Sequence, residues 1–93
     1  MADISIRKNH GVDVAVLRGR LEELAKELKA KYGIRSRWEG DRILIDGGGV
    51  KQGTVEITAS TLALDVTLGM VARLLKPKIE EEISKKVGKL LAV

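Results

Sequence analysis

The chain has 93 residues, of which 44% are apolar and 32% charged, with one proline and no cysteine. This length favours a single domain over residues 1–93, because domains usually run to about 100–150 residues. The composition excludes a disordered chain and a disulfide scaffold, and the lack of cysteine excludes thiol catalysis and thiolate metal sites. Seventeen basic and thirteen acidic groups give a net charge of +4, with the excess in residues 1–33 and 69–93.

The N-terminal third predicts a strand followed by a long helix. Residues 3–7 alternate polar and apolar side chains, which is typical of a short strand. From Asp13 to Tyr32 the apolar residues step by three or four positions, so they share one helix face. Asp13 suits the N-cap, and Gly33 suits the left-handed position that ends a helix. The apolar stripe consists of Val14, Leu17, Leu21, Leu24 and Leu28.

The middle of the chain predicts an antiparallel meander of four strands. Residues 34–39 and 42–46 alternate on either side of Gly40-Asp41, so they form a hairpin. The glycine run 47–49 is expected to be a flexible link to a third strand, which points Val55 and Ile57 inward. The fourth strand carries an apolar face made of Leu62, Leu64, Val66 and Leu68. Each strand has one apolar face, so the helices should cover one side of the sheet.

The C-terminal segment predicts a helix with Pro77 in its first turn. The residue before a proline is disfavoured at helical angles, so we expect the chain to break at Lys76. The apolar stripe of this helix consists of Ile79, Ile83, Val87, Leu90 and Leu91, and the far side carries Lys78, Lys85 and Lys89. The fold class is therefore α+β, in the order β-α-β-β-β-β-α, with an antiparallel sheet and two helices packed on one face. This order is analogous to that of helix-grip folds.

No pattern in the chain predicts a catalytic centre, a cofactor or a metal site. His10 is the only histidine, and a hydrogen bond at the helix entry is its simplest role. The glycine run lacks the following helix and the lysine spacing of a phosphate loop. The acidic run 80–82 falls in the first turns of a helix, where the dipole favours negative charge. We therefore expect a protein without enzymatic activity.

The polar face of the sheet leaves two interpretations open. Four arginines project from it, which would suit a basic module that binds nucleic acid through phosphate contacts. They are Arg7, Arg35, Arg37 and Arg42. Four carboxylates share the face, which favours a solvated surface of mixed charge: Glu39, Asp46, Glu56 and Asp65. Trp38 and Tyr32 are the only aromatic residues, so stacking of bases on the sheet is poorly supported.

The segment 68–75 is too apolar for one helix face to bury all of it. We interpret it and its basic flank as a candidate interaction surface, made of Met70, Val71, Arg73, Leu74, Leu75, Lys76 and Lys78. Three structures could bury these apolar residues: a homodimer partner, the core of the protein itself through a kink at Pro77, or a lipid-like surface with the basic residues at its polar edge.

Several short motifs resemble one known family along nearly the whole chain. They are Ile4-Ser5-Ile6-Arg7 with His10, the hairpin Trp38-Glu39-Gly40-Asp41, and the stretch from Leu68-Gly69 through Leu75-Lys76-Pro77-Lys78-Ile79-Glu80 to Ile83. They resemble the polyhydroxyalkanoic acid system proteins of bacteria that store polyester granules. The resemblance implies an accessory protein without catalytic residues or a cofactor, whose partner is the granule surface or a granule-associated protein. No signal peptide or apolar run of eighteen residues is present, so the expected location is the cytoplasm, and the resemblance implies a place at storage granules.

Overall fold

The computed structural model describes residues 2–92. Five antiparallel strands form one sheet in the order β1-β5-β4-β3-β2. The strands are β1 (Ile4–Asn9), β2 (Arg35–Glu39), β3 (Arg42–Gly47), β4 (Val50–Ile57) and β5 (Thr61–Leu68), and the helices are α1 (Val14–Tyr32), α2 (Met70–Arg73) and α3 (Lys76–Leu90). The predicted α+β class and element order are confirmed, with the short helix α2 added before the last helix.

Helix α1 connects the two opposite edges of the sheet. Strands β2 to β5 form the predicted meander, and β1 closes the other side by pairing with β5, where Ile4 lies opposite Val66. Because β1 and β2 are the two edge strands, the segment between them has to cross the whole sheet. Five strands are about 19 Å wide at about 4.8 Å spacing. The 19 residues of α1 are about 28 Å long, which is enough to make this crossing.

The core lies between one face of the sheet and the stripes of α1 and α3. The predicted inward residues of the strands are buried, and Leu17 and Leu21 of α1 and Val87 and Leu90 of α3 pack against them. The sheet contributes Ile4, Ile43, Val55, Ile57, Leu62, Leu64, Val66 and Leu68. No polar residue among those described is buried, so hydrophobic burial is the main driving force for this arrangement.

The ends of α1 follow the sequence prediction, and the start of α3 departs from it. The Asp13 carboxylate accepts a hydrogen bond from the Ala15 N–H at 2.9 Å, and Gly33 adopts the left-handed conformation with φ of 70°. The break before α3 falls at residues 74–75, and Lys76 is already helical. The acidic run 80–82 therefore lies beyond the first turn of α3, so the predicted stabilisation by the helix dipole is wrong; Glu81 pairs instead with Lys85 at 3.5 Å.

The glycine run 47–49 is a constrained turn, which corrects the expectation of a flexible link. Gly47 pairs with Val50, so the turn joins β3 directly to β4, and all three glycines have positive φ. A Cβ on Gly48 would lie 2.4 Å from the carbonyl oxygen of Tyr32. The close approach of this turn to the end of α1 therefore requires glycine.

Polar contacts join α3 to α1 at two points along their length. The Arg20 guanidinium donates to the carbonyl oxygens of Leu90 at 2.9 Å and Ala92 at 2.6 Å, so it satisfies the C-terminal end of α3. Nearer the middle of the sheet, Lys86 lies 3.7 Å from Glu27. The two helices are therefore in polar contact along the C-terminal half of α3.

Candidate functional site

The residues of the predicted apolar segment divide at the end of β5. Leu68 is 1% exposed and belongs to the core. The next apolar residues are on the surface, where Met70 is 87%, Val71 79%, Leu74 83% and Leu75 57% exposed. We refer to these four residues as the α2 patch. They lie on or just after one short helix, and the core of this chain leaves more than half of each side chain exposed.

Contacts with β1 and with the glycine turn hold α2 in place. The Asp3 carboxylate accepts the backbone N–H of Leu68 at 2.8 Å and lies 3.3 Å from the Arg73 guanidinium. The Gly69 N–H donates to the Gly49 carbonyl at 2.9 Å. These contacts fix both the start and the end of α2, so the α2 patch is presented on a supported element.

The Asp3 carboxylate is electrostatically stabilised in this position. The hydrogen bond from the Leu68 backbone, helped by the positive charges of Arg73 and Lys76, holds the pKa of Asp3 below its ordinary value of 3.8. Asp3 is therefore a charged anchor at neutral pH. No sequence signal pointed to it, since its partners lie about 65 and 70 positions further along the chain.

The basic residues of the predicted surface have three different environments. Arg73 pairs with Asp3 and so acts mainly on the position of α2. Lys76 is half-buried at the start of α3. Lys78 is exposed, as are Lys85 and Lys89, and it also lies at the rim of a cavity under α3. Of the three cations, Arg73 is therefore ion-paired, and Lys76 and Lys78 follow the α2 patch in the first turn of α3.

An apolar cavity of about 380 Å³ lies next to the α2 patch and is lined by the sheet, α1 and α3. Its walls are the partly buried ends of the predicted stripes together with the sheet, and include Leu24, Leu28, Ile45, Val50, Ile79 and Ile83. Its rim carries Leu75 of the α2 patch and, at four-residue spacing along α3, Lys78, Glu82 and Lys86. The sequence predicted these apolar residues as core and gave no indication of the space between them.

The arginines on the polar face of the sheet are largely paired with carboxylates. Cross-strand register places Arg35 opposite Asp46 and Arg42 opposite both Glu39 and Glu56. The distances are 2.8 Å for Arg35–Asp46, 3.1 Å for Arg42–Glu39, 3.9 Å for Arg42–Glu56 and 3.6 Å for Arg37–Glu39. This pairing offsets the positive charge that phosphate contacts would need, so the observation favours the solvated mixed-charge interpretation.

His10 makes the predicted hydrogen bond near the helix entry and also joins a turn of the sheet. Its Nδ1 accepts the Val12 N–H at 3.2 Å, so its Nε2 carries the proton and donates to the Thr58 carbonyl at 3.0 Å. Among residues 2–92 no three histidine, aspartate or glutamate side chains come together as a metal-ligand set. His10 thus has a structural role in linking β1 to the β4–β5 turn.

Comparison with protein families gives one match over almost the whole chain. The family model described as "Putative polyhydroxyalkanoic acid system protein" matches residues 4–91. This chain belongs to that family. The resemblance of the short motifs is thus confirmed, and this polyhydroxyalkanoic acid system protein contains the α2 patch and the cavity within the matched range. Comparisons with curated proteins and with solved structures find no match. No helix in the described part of the chain is long and apolar enough to cross a membrane.

Proposed function

We propose that this protein is a non-enzymatic accessory protein of bacterial polyhydroxyalkanoate storage that docks from the cytoplasm onto the granule surface through the α2 patch. Membership of the polyhydroxyalkanoic acid system family supports the link to storage. The observation that carries the docking mode is the exposure of Met70, Val71 and Leu74, each at 79% or more, on one supported helix. A stored polyester is an apolar body, and its surface rewards burial of such side chains.

The energetic case rests on the area that docking removes from water. Full burial of one large aliphatic side chain is worth about 1.5–3 kcal/mol. Three or four such side chains can therefore supply reversible attachment, although ordering the protein at a surface offsets part of the gain. Lys76 and Lys78 lie at the polar edge of the patch, where their ammonium groups stay in water while their stems cover apolar surface.

Arg73 is assigned a positioning role in this docking. Its guanidinium contacts Asp3 and lies 3.4 Å from the Leu68 carbonyl oxygen, so it ties α2 to the edge of the sheet. With α2 held against β1 and the glycine turn, little conformational entropy is lost when the patch meets a surface. The geometry therefore favours a preformed docking face.

The test is binding of the purified protein to protein-free polyhydroxyalkanoate particles in a pelleting assay. We expect Val71→Asp with Leu74→Asp to reduce the bound fraction by about tenfold or more, because both carboxylates would have to be desolvated at the surface. Val16→Asp is the matched control, since Val16 is a 48% exposed aliphatic residue on α1. It should bind like the wild type.

The same variants distinguish the surface from a protein partner. Wild-type binding to native granules but not to protein-free particles would replace the polyester surface with a granule protein as the partner. Equal binding by the wild type and by the double variant, with unchanged circular dichroism spectra, would remove the α2 patch from the proposal.

A further inference from the structure

The cavity beneath α2 and α3 has the size and lining of a ligand site that the docking role does not use. Its volume of about 380 Å³ falls in the range of small-molecule pockets, which is about 300–1,000 Å³. Protein interiors normally leave few voids larger than a water molecule. A cavity of this size is unusual in a 93-residue chain, and this indicates a ligand-binding site.

The lining restricts what can enter the cavity. The side chains on its walls come from the apolar stripes of α1 and α3 and from the inward face of the sheet, and no buried polar side-chain atom in the described residues lacks a partner. Apart from the charged groups at the rim, the polar side chains of the lining are Ser36 and Tyr32, and the other wall side chains are apolar. Burial of hydrocarbon therefore supplies most of the free energy of binding, and apolar cavities take up apolar guests.

The rim restricts where a polar head group can lie. Lys86 is held by Glu27 at 3.7 Å across the helix interface, and Glu27 is itself bonded to Lys31 at 2.9 Å. Lys78 has no carboxylate within ion-pair distance among residues 2–92, and Glu82 lies one turn further along the same rim. The available cation is therefore Lys78, at the end of the cavity nearest the α2 patch.

We propose that this cavity binds a single medium-chain alkanoate, with its alkyl chain between the sheet and the two helices and its carboxylate at Lys78. If a methylene group takes about the 30 Å³ of a liquid water molecule, the volume suits a chain of about ten to twelve carbons. The ligand is a free fatty acid. The interior of this site is distinct from the outward-facing Met70, Val71 and Leu74, shares Leu75 and Lys78 with the edge of the docking face, and does not require docking on a granule.

Isothermal titration calorimetry of the full chain with decanoate, below the concentration at which decanoate forms micelles, tests the site. We expect one decanoate per chain. Ala25→Phe places an aromatic ring in the cavity and should weaken binding by about tenfold or more. Ala30→Phe is the matched control, because Ala30 is an exposed residue of the same helix, and it should leave affinity unchanged.

The head-group assignment has its own pair of variants. Lys78→Gln should weaken decanoate several-fold, Glu82→Gln should strengthen it, and neither should alter binding of decanol. Lys85→Gln, on the outer side of α3, should behave like the wild type. Equal effects of Lys78→Gln on decanoate and decanol would overturn the placement of the carboxylate.

Further outcomes decide between the cavity and the surface. If Ala25→Phe fails to fold, methyl NMR shifts of the wild type give the same answer: perturbation of Ile79, Ile83 and Leu28 supports the cavity, and perturbation of Met70 and Val71 alone overturns it. The proposed cavity site is also overturned if decanoate does not bind up to millimolar concentration. It is overturned as well if several decanoate molecules bind per chain and Ala25→Phe does not reduce their binding. The Val71→Asp and Leu74→Asp double variant should keep its affinity for decanoate, so failure of docking and failure of this site are distinguishable.

Discussion

Asp3 connects the first strand of the sheet to the helix that carries the α2 patch. Oδ2 of the carboxylate accepts the Leu68 N–H, and the Arg73 guanidinium lies within 3.4 Å of both carboxylate oxygens. Both interactions favour the ionised carboxylate, which is why the pKa of Asp3 lies below 3.8. Since its folded pKa is depressed, Asp3 contributes stability above its unfolded pKa, and this contribution is lost as the pH falls through the folded pKa.

The pH dependence of stability should therefore depend on Asp3. We expect the free energy of unfolding of the wild type to fall between about pH 5 and pH 2, and we expect Asp3→Asn to show a smaller fall over this window. Urea unfolding followed by circular dichroism at each pH measures both. Glu27 also has a lowered pKa, because Lys31 and Lys86 surround it, so it adds a similar slope to both proteins.

The test is therefore the difference between the wild type and Asp3→Asn in how the free energy of unfolding changes with pH. Asn can still accept the Leu68 N–H, so Asp3→Asn removes chiefly the charge and its titration. Parallel pH profiles for the wild type and Asp3→Asn would contradict a charged anchor at this position.

The β3–β4 hairpin shows how an element can depend on its neighbours rather than on its own sequence. Gly48 has a φ of 58°, and its Cα faces the Tyr32 carbonyl and the Ile34 side chain. A Cβ on Gly49 would lie 3.2 Å from the Cβ of Ala72. The turn is therefore packed between the end of α1 and the start of α2, at the mouth of the cavity.

Gly48→Ala should destabilise the protein by about 1–3 kcal/mol, because it combines a left-handed backbone with a steric clash. Gly19→Ala is the matched control: Gly19 lies inside α1 with open space around it, so alanine should raise stability by about 1 kcal/mol. Chemical denaturation of both variants measures the difference. A neutral or stabilising effect at Gly48 would show that the turn is looser than this packing requires.

Charged and apolar side chains are distributed unevenly over the surface of the molecule. The polar face of the sheet is lined with paired charges, the opposite face is covered by α1 and α3, and the α2 patch is the largest concentration of exposed aliphatic side chains in the described residues. Exposed apolar area costs solubility at about 25 cal/mol for each Å². In the absence of a docking surface, a second copy of the chain is the simplest cover.

We therefore predict self-association through the α2 patch across a two-fold axis, where the same four side chains of each copy bury one another. Sedimentation velocity from about 1 to 100 µM should show a dimer whose proportion rises with concentration. Val71→Asp with Leu74→Asp should be monomeric throughout, and Val16→Asp should associate like the wild type. A wild-type monomer at the highest concentration would contradict the dimer and leave an external surface as the cover.

Much of the local structure could be predicted because the deciding interactions are close in sequence. The period of α1, its cap at Asp13, the stop at Gly33 and the alternation in β5 all depend on neighbours within a few positions. The same locality indicated that one helix face could not bury all of the segment 68–75, but it left open whether the core, a second copy of the chain or an apolar surface covers these residues.

The placement of β1, the anchor at Asp3 and the cavity depended on contacts across long sequence separations, so only the tertiary structure decided them. Ile4 pairs with Val66, Asp3 contacts Arg73, and the stripes of α1 and α3, which each predict a filled core, line a cavity. A hydrophobic pattern predicts which side chains are buried, but it does not predict the distance between two packed helices. Whether the apolar stripes of two helices meet or enclose a cavity is therefore decided by the tertiary structure.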